Sequence, residues 1–164
     1  MIDAELTAAA TRVLELYRQR RLKIATAESC TGGLVAAALT EIAGASDVVE
    51  RGFVTYSNEA KQGMLAVPAA TLSAHGAVSR ETAEAMARGA LRHSAADISV
   101  AITGIAGPGG GSAEKPVGLV HLAAAHGSTV LHREKRFGDL GRHEVRRLSV
   151  LEALMLLNEL AGTR

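Results

Sequence analysis

Leu22-Lys23-Ile24-Ala25-Thr26-Ala27-Glu28-Ser29-Cys30-Thr31-Gly32-Gly33-Leu34-Val35-Ala36-Ala37-Ala38-Leu39-Thr40-Glu41-Ile42 is the stretch on which the fold turns. Leu22 to Ala27 reads as a short strand and Glu28 to Gly33 as a turn of small residues. Leu34 to Ile42 is alanine-rich and apolar nearly all round, which suits a helix packed close against a sheet. A strand, a tight turn and a helix make the opening unit of an α/β domain. In open sheets of that class, ligands collect at the carboxyl ends of the strands, where loops meet helix N-termini.

On the N-terminal side, Leu6, Ala9, Ala10, Val13, Leu14 and Tyr17 recur at spacings of three and four, predicting a helix over 3–19 with Asp3 as its N-cap. On the C-terminal side, Val48 to Tyr56 is β-branched and aromatic enough for a strand, and Ser57-Asn58-Glu59 starts a short helix reaching Leu65. Ser79 caps a helix over 80–94. Asp97 to Thr103 is apolar enough for a central strand buried on both faces, and it runs into the glycine-rich Gly104 to Ser112. Val117 to Ala125 and Thr129 to Phe137 are strands separated by the hairpin signal His126-Gly127-Ser128. A last helix spans Arg142 to Leu160 and stops at Gly162. The expectation is a three-layer α/β/α sandwich, its mixed, mostly parallel sheet having about five strands. One domain is expected over 1–164, with the N-terminal helix packed on the core.

Composition narrows the function classes. Lys and Arg total 18 against 17 Asp and Glu, a net charge of +1, so no broad field exists to hold a polyanion. Aromatic residues are 2% of the chain, which removes the stacking platforms of single-strand binders. No nucleic-acid partner is expected. The lone Cys30 rules out an intramolecular disulfide and a thiolate zinc site, and fits a reducing compartment. The start Met1 to Leu6 carries acidic residues where a secretory leader would carry basic ones, so no leader is expected, and no apolar run is long enough for a membrane-spanning helix. A cytoplasmic protein without a membrane partner is expected.

Three loops are candidates for chemistry: 28–33, 55–61 and 103–116. Ser29 stands where backbone N–H groups of Thr31, Gly32 and Gly33 can hold an oxyanion; equally, Ser29 or Thr31 is a simple N-cap. Cys30 competes as nucleophile, but a cysteine mechanism asks for a histidine base. All six histidines, His75, His93, His121, His126, His132 and His143, lie far along the chain, so small core packing is the plainer reading. Lys61 is either a solvated surface group or a desolvated general base. The glycine-rich loop is neither a nucleotide P-loop nor a dinucleotide fingerprint; it wraps a phosphate through bare N–H groups or is a flexible crossover. Ser112-Ala113-Glu114-Lys115 matches S-x-x-K without the helix that pattern needs. No metal-ligand spacing occurs, so neither metal nor other cofactor is expected. Arg142, Arg146 and Arg147 form a solvated face unless one meets a phosphate.

Taken together, Thr26-Ala27-Glu28-Ser29-Cys30-Thr31-Gly32-Gly33, Gly52-Phe53-Val54-Thr55-Tyr56-Ser57-Asn58-Glu59-Ala60-Lys61 and Ala101-Ile102-Thr103-Gly104-Ile105-Ala106-Gly107-Pro108-Gly109-Gly110 resemble the CinA C-terminal domain family. Gly76-Ala77-Val78-Ser79 and Lys115-Pro116-Val117-Gly118 also fit, so the likeness covers nearly the whole chain in order. Enzymatic members of that family are nicotinamide mononucleotide deamidases. The resemblance implies hydrolysis of the carboxamide to nicotinate mononucleotide and ammonia without a metal. It implies Ser29 as nucleophile, Lys61 as its base and Tyr56 assisting by a hydrogen bond to either. Thr31, Gly32 and Gly33 would hold the oxyanion, and Thr103, Gly104 and the glycine loop with Gly107 would line the nucleotide pocket. The ribosylated pyridinium withdraws electrons from the amide, so free nicotinamide is expected to be a worse substrate.

The chain departs from the family in one place. Many relatives open the last helix with Gly-Asp-Arg, whereas Gly138-Asp139-Leu140-Gly141-Arg142 inserts two residues, leaving open whether Arg142 reaches the phosphate. Longer relatives carry a molybdopterin-binding-like N-terminal domain, and the expectation here is the stand-alone form. The family often assembles, so a homo-oligomer is expected. The alternatives are a non-catalytic nucleotide-binding or regulatory module and a hydrolase of a related amide or ester.

Overall fold

A computed structural model describes residues 2–162; Met1, 163 and 164, the ends of the expected unit, lie outside the described residues. The elements run α1 (Ala4–Arg20), β1 (Ile24–Glu28), α2 (Leu34–Thr40), a 3-10 turn (Ala45–Asp47), β2 (Val49–Val54), α3 (Asn58–Leu65) and α4 (Ala69–His75). They continue with α5 (Arg80–Arg92), β3 (Ile98–Gly104), β4 (Leu119–His126), β5 (Thr129–Arg136) and α6 (Arg142–Gly162).

The five strands lie in the order β2-β1-β3-β4-β5. β1 is parallel to both β2 and β3, while β4 is antiparallel to both β3 and β5. The four pairings therefore divide evenly, yet four of the five strands point the same way. This is the mixed α/β sheet that the sequence predicts.

Strand side chains alternate between faces, and here the alternation sorts most of them by size, with Phe53 and Ala124 as exceptions. Ile24, Ile98, Val100, Ile102, Val120 and Leu122 cluster with apolar residues of α1, α2 and α6. Ala25, Ala27, Ala101, Ala123 and Ala125 cluster with residues of α3, α4 and α5. The alanine face lets α5 lie close, and Gly89 on α5 completes the approach. A Cβ there would stand 2.0 Å from the Leu65 carbonyl oxygen at the end of α3. Two helical layers thus enclose the sheet, as the length of strands buried on both faces demands.

The N-terminal helix forms as its stripe predicts. Asp3 caps it, accepting from the Leu6 amide at 2.9 Å, and Leu6, Ala9, Ala10, Val13, Leu14 and Tyr17 are buried. α1 packs on α6, where the buried Tyr17 hydroxyl donates to the Leu157 carbonyl at 2.8 Å.

Several boundaries differ from the sequence reading. β1 starts at Ile24 because the Leu22 amide closes the end of α1 on the Tyr17 carbonyl. β2 ends at Val54 rather than Tyr56, because Ser57 caps α3 by accepting from the Ala60 amide. α2 stops at Thr40, and α6 runs to Gly162, the last of the described residues. His126 belongs to β4, leaving Gly127 and Ser128 as the turn. The helix α4 was not foreseen. It has only seven residues and its N-cap, Pro68, makes no side-chain cap bond, so neither period nor cap announces it.

Candidate active site

The segments that follow β1, β2 and β3 converge at the carboxyl ends of the parallel strands, around a cavity of about 270 Å³. The segment 76–79 ahead of α5 and the first residue of α6 complete its wall.

Ser29 sits immediately after β1. Its amide donates to the Ile102 carbonyl at 2.9 Å, continuing the β1–β3 pairing by one residue, so the sheet itself fixes its position. Lys61 projects from α3 and is 1% exposed. Its Nζ lies 2.9 Å from Ser29 Oγ, 2.8 Å from the Thr55 carbonyl oxygen and 3.2 Å from the Tyr56 carbonyl oxygen. Among the described residues no carboxylate stands within ion-pairing distance of it. Burial without a counter-charge pushes the Lys61 pKa down. As a neutral amine, Lys61 has two N–H donors and one lone pair. Two carbonyls take the donors, which leaves the lone pair for the Ser29 hydroxyl.

The other predicted site residues divide. Tyr56 lies on the cavity wall, but its hydroxyl accepts from Arg142 Nη2 at 3.0 Å and bonds to neither Ser29 nor Lys61. Only its main-chain carbonyl serves Lys61. Thr103, Gly104 and Gly107 line the cavity. The Thr103 hydroxyl donates to the Ala77 carbonyl at 2.8 Å, holding the segment 76–79 against β3. Gly104 must be glycine on space alone, since a Cβ would stand 2.8 Å from Val120 Cγ2 and 2.9 Å from the Leu119 carbonyl oxygen. Arg142 spans the mouth, donating also to the Gly107 carbonyl at 2.9 Å.

Thr31, Gly32 and Gly33 are not on the cavity wall. The Gly32 amide donates to the Ser29 carbonyl, closing the turn at φ +59°, and Gly33 follows at φ +103°, a pair of conformations that glycine adopts without strain. The α2 amides are also engaged. Glu28, 1% exposed, accepts from the Thr31 hydroxyl (2.6 Å) and the Val35 amide (2.9 Å) through Oε1, and from the Ala36 amide (3.1 Å) through Oε2. The sequence offered one signal for Glu28: it is the only charged residue between Lys23 and Glu41.

Cys30 lines the cavity but is buried, and its thiol is pushed up to about 12, by burial first and then by the Glu28 charge. No histidine lines the cavity among the described residues, so a Cys–His pairing does not form there. Ser112 and Lys115 meet only through a turn in which the Lys115 amide donates to Ser112 Oγ, while Lys115 Nζ reaches the His75 carbonyl. The three arginines of α6 go three ways. Arg142 faces the cavity, Arg146 donates to the Cys30 and Thr31 carbonyls, and Arg147 pairs with Asp3 and Glu5 of the first turn region. No helix among the described residues is long and apolar enough to cross a membrane.

The family described as CinA C-terminal domain matches residues 6–161. The chain is 50% identical over 159 residues to the nicotinamide-nucleotide amidohydrolase PncC of Escherichia coli strain K12, covering 96% of this chain and 95% of that protein. It is 52% identical over 149 residues to a CinA-like protein of a Synechococcus species, and spans only 36% of that longer relative. Its fold superposes on the crystal structure of the competence/damage inducible protein CihA of Agrobacterium tumefaciens with a TM-score of 0.96, at 56% identity and 98% coverage of both chains.

Proposed function

Because the chain belongs to the CinA C-terminal domain family, we propose that it is an amidohydrolase converting nicotinamide mononucleotide to nicotinate mononucleotide and ammonia through a serine–lysine acyl-enzyme. The observation that carries this reading is the buried contact of 2.9 Å between Lys61 Nζ and Ser29 Oγ. The similarity to an amidohydrolase of the same size supports the substrate class.

In this mechanism Ser29 Oγ attacks the carboxamide carbon as Lys61 takes its proton. The tetrahedral intermediate collapses, Lys61 returns the proton to the leaving nitrogen, and ammonia departs. Water, deprotonated by the same amine, then cleaves the ester and frees the acid. Cys30 and Ala106 line the cavity, and no main-chain carbonyl takes their amides among the described residues, which suits them to the oxyanion better than the engaged Gly32 amide. The wall carries the guanidinium of Arg142 and no carboxylate, an arrangement that suits a phosphate-bearing substrate. In this reading Arg142 turns from Tyr56 and Gly107 towards the phosphate. In this reading the chain is a single catalytic unit located in the cytoplasm, where Cys30 stays reduced, and assembles as a homo-oligomer.

Ammonia release from nicotinamide mononucleotide, with nicotinamide and glutamine as comparison amides, tests the reading. Release from the mononucleotide, abolished in Ser29→Ala, is the expected result. A folded protein that binds the mononucleotide and releases no ammonia would make it a binding module instead.

A further inference from the structure

The turn that carries Ser29 has no regular structure of its own, so something must hold it still. Its approach side is fixed by the sheet through the Ser29 amide, and its exit side by Glu28 on the amides of α2. Between them lie the peptide groups of Cys30 and Thr31, followed by two glycines of positive φ. Arg146 reaches these from α6. Its Nε donates to the Cys30 carbonyl at 3.1 Å and its Nη2 to the Thr31 carbonyl at 3.2 Å.

Arg146 is half-buried, and among the described residues it forms no ion pair, unlike its neighbour Arg147 with three carboxylates. A guanidinium removed from water is ordinarily matched to a carboxylate. Here it is matched to two main-chain oxygens of the nucleophile turn. The planar fork can bridge two acceptors in a fixed geometry, which a lysine ammonium cannot. Arg146 also lies four residues beyond Arg142, on the same side of α6. One helical turn therefore places one arginine on the cavity mouth and the next on the peptide groups that follow Ser29.

We propose that Arg146 is a positioning residue for the amidohydrolase reaction, fixing through the Cys30 and Thr31 carbonyls the aim of Ser29 Oγ and of the Cys30 amide. It acts through the turn and does not touch the substrate. This inference rests on the serine–lysine reading above, and it separates the two arginines by kinetic signature. Loss of Arg146 displaces the nucleophile and lowers kcat, whereas loss of Arg142 weakens substrate binding and raises KM.

The test compares Arg146→Ala, Arg146→Lys and Arg142→Ala in the purified full chain by steady-state ammonia release and by the alkylation rate of Cys30 with iodoacetamide. Cys30 is buried and the only cysteine, so its alkylation reports opening of the turn independently of turnover. Arg146→Ala is expected to lower kcat about 100-fold, as misplacement near 1 Å does, with KM within about threefold. Added guanidinium ion at millimolar concentration should restore part of kcat, and Cys30 alkylation should accelerate about tenfold or more. Arg146→Lys, which keeps the charge without the fork, should fall between the two. Arg142→Ala should raise KM and leave Cys30 protected.

A kcat within about threefold of the parent, or a loss carried by KM, or unchanged Cys30 protection in Arg146→Ala would overturn the proposal. If Arg146→Ala does not fold, Arg146→Lys decides: full kcat with protected Cys30 overturns it, reduced kcat with faster alkylation supports it. Failure of the parent protein to release ammonia sinks the amidohydrolase reading instead, and the alkylation rates still show whether Arg146 holds the turn.

Discussion

Lys61 on α3 and Lys135 on β5 carry the same side chain at opposite halves of the fold and have opposite surroundings. Lys61 stands at the carboxyl ends of the parallel strands, 1% exposed, with a hydroxyl and two carbonyls as the partners of its Nζ among the described residues. Lys135 lies on β5, the antiparallel edge, with its side chain 36% exposed and its Nζ 3.1 Å from Glu152 Oε1. Around it Arg133 pairs with Glu152 and Glu159, and Arg136 with Glu134. The parallel half desolvates a cation and gives it no counter-charge. The antiparallel half leaves its cations near water and pairs each with an acid. The first arrangement favours the free amine, which makes a base; the second favours the ion, which makes a solvated edge resistant to pairing with another strand.

The comparison breaks first at Lys61→Met. Removing a general base costs on the order of 1,000-fold in kcat/KM, and that is the loss expected in ammonia release. The pH profile sharpens it. Because burial lowers the Lys61 pKa from its ordinary 10.5, the amine form grows in as pH rises through that lowered value, and kcat/KM should rise with it. The same shift sets a stability slope. Between the lowered pKa and 10.5 the unfolded chain binds the extra proton, so unfolding free energy should climb with pH across that window and flatten in Lys61→Met. A variant that keeps its activity and its acid limb would remove Lys61 from the mechanism.

Much of this was legible in the sequence, for reasons that differ by residue. The stripe of α1, the Ser57 and Ser79 caps and the doubly buried β3 follow from local periodicity and capping chemistry, so they appear where the chain predicts them. The meeting of loops 28–33, 55–61 and 103–116 follows from strand polarity alone. Helix α4 was illegible because seven residues without a capping side chain carry no period. The partners of Lys61 were illegible for another reason: main-chain carbonyls of Thr55 and Tyr56 have no residue identity to read. The resemblance implies a Tyr56 hydroxyl bonded to Ser29 or Lys61, but Arg142, 86 positions later, donates to it.

The antiparallel half holds a partly buried histidine pair, and acid should expose it. His121 on β4 and His132 on β5 stack with centroids 5.2 Å apart, Nδ1 of one 2.9 Å from Nε2 of the other. One ring must donate and the other accept, so the pair cannot take up two extra protons and keep the bond. Burial lowers both pKa values, helped at His121 by His132 and at His132 by Arg80. Glu134 on β5, Glu81 and Glu84 on α5 and Lys115 complete the charged surroundings. With the folded values below 6.5, the unfolded chain is protonated first as pH falls, so stability is lost from 6.5 downwards and levels off below the folded values. Between pH 7 and 5 the parent should lose about 2–4 °C more in Tm than His132→Gln. Equal losses in the two proteins would show that the imidazole pair is not the acid-sensitive element of this half.

The smallest effect is expected at Lys135, where the contrast with Lys61 is most exposed to refutation. Lys135→Met should leave ammonia release unchanged, since β5 contributes nothing to the cavity wall. Glu152 keeps Arg133 at 3.2 Å when Lys135 is gone, so no acid is left unpaired. A double-mutant cycle of Lys135→Met with Glu152→Gln should give a coupling of about 0.2–1 kcal/mol by thermal or urea unfolding. At about 1 M salt that coupling should shrink towards zero, because the screening length falls to about 3 Å. A coupling of about 3 kcal/mol that survives salt is the range of a desolvated pair. It would mean that the antiparallel edge is as closed to water as the site, and that lack of a counter-charge alone separates the two lysines.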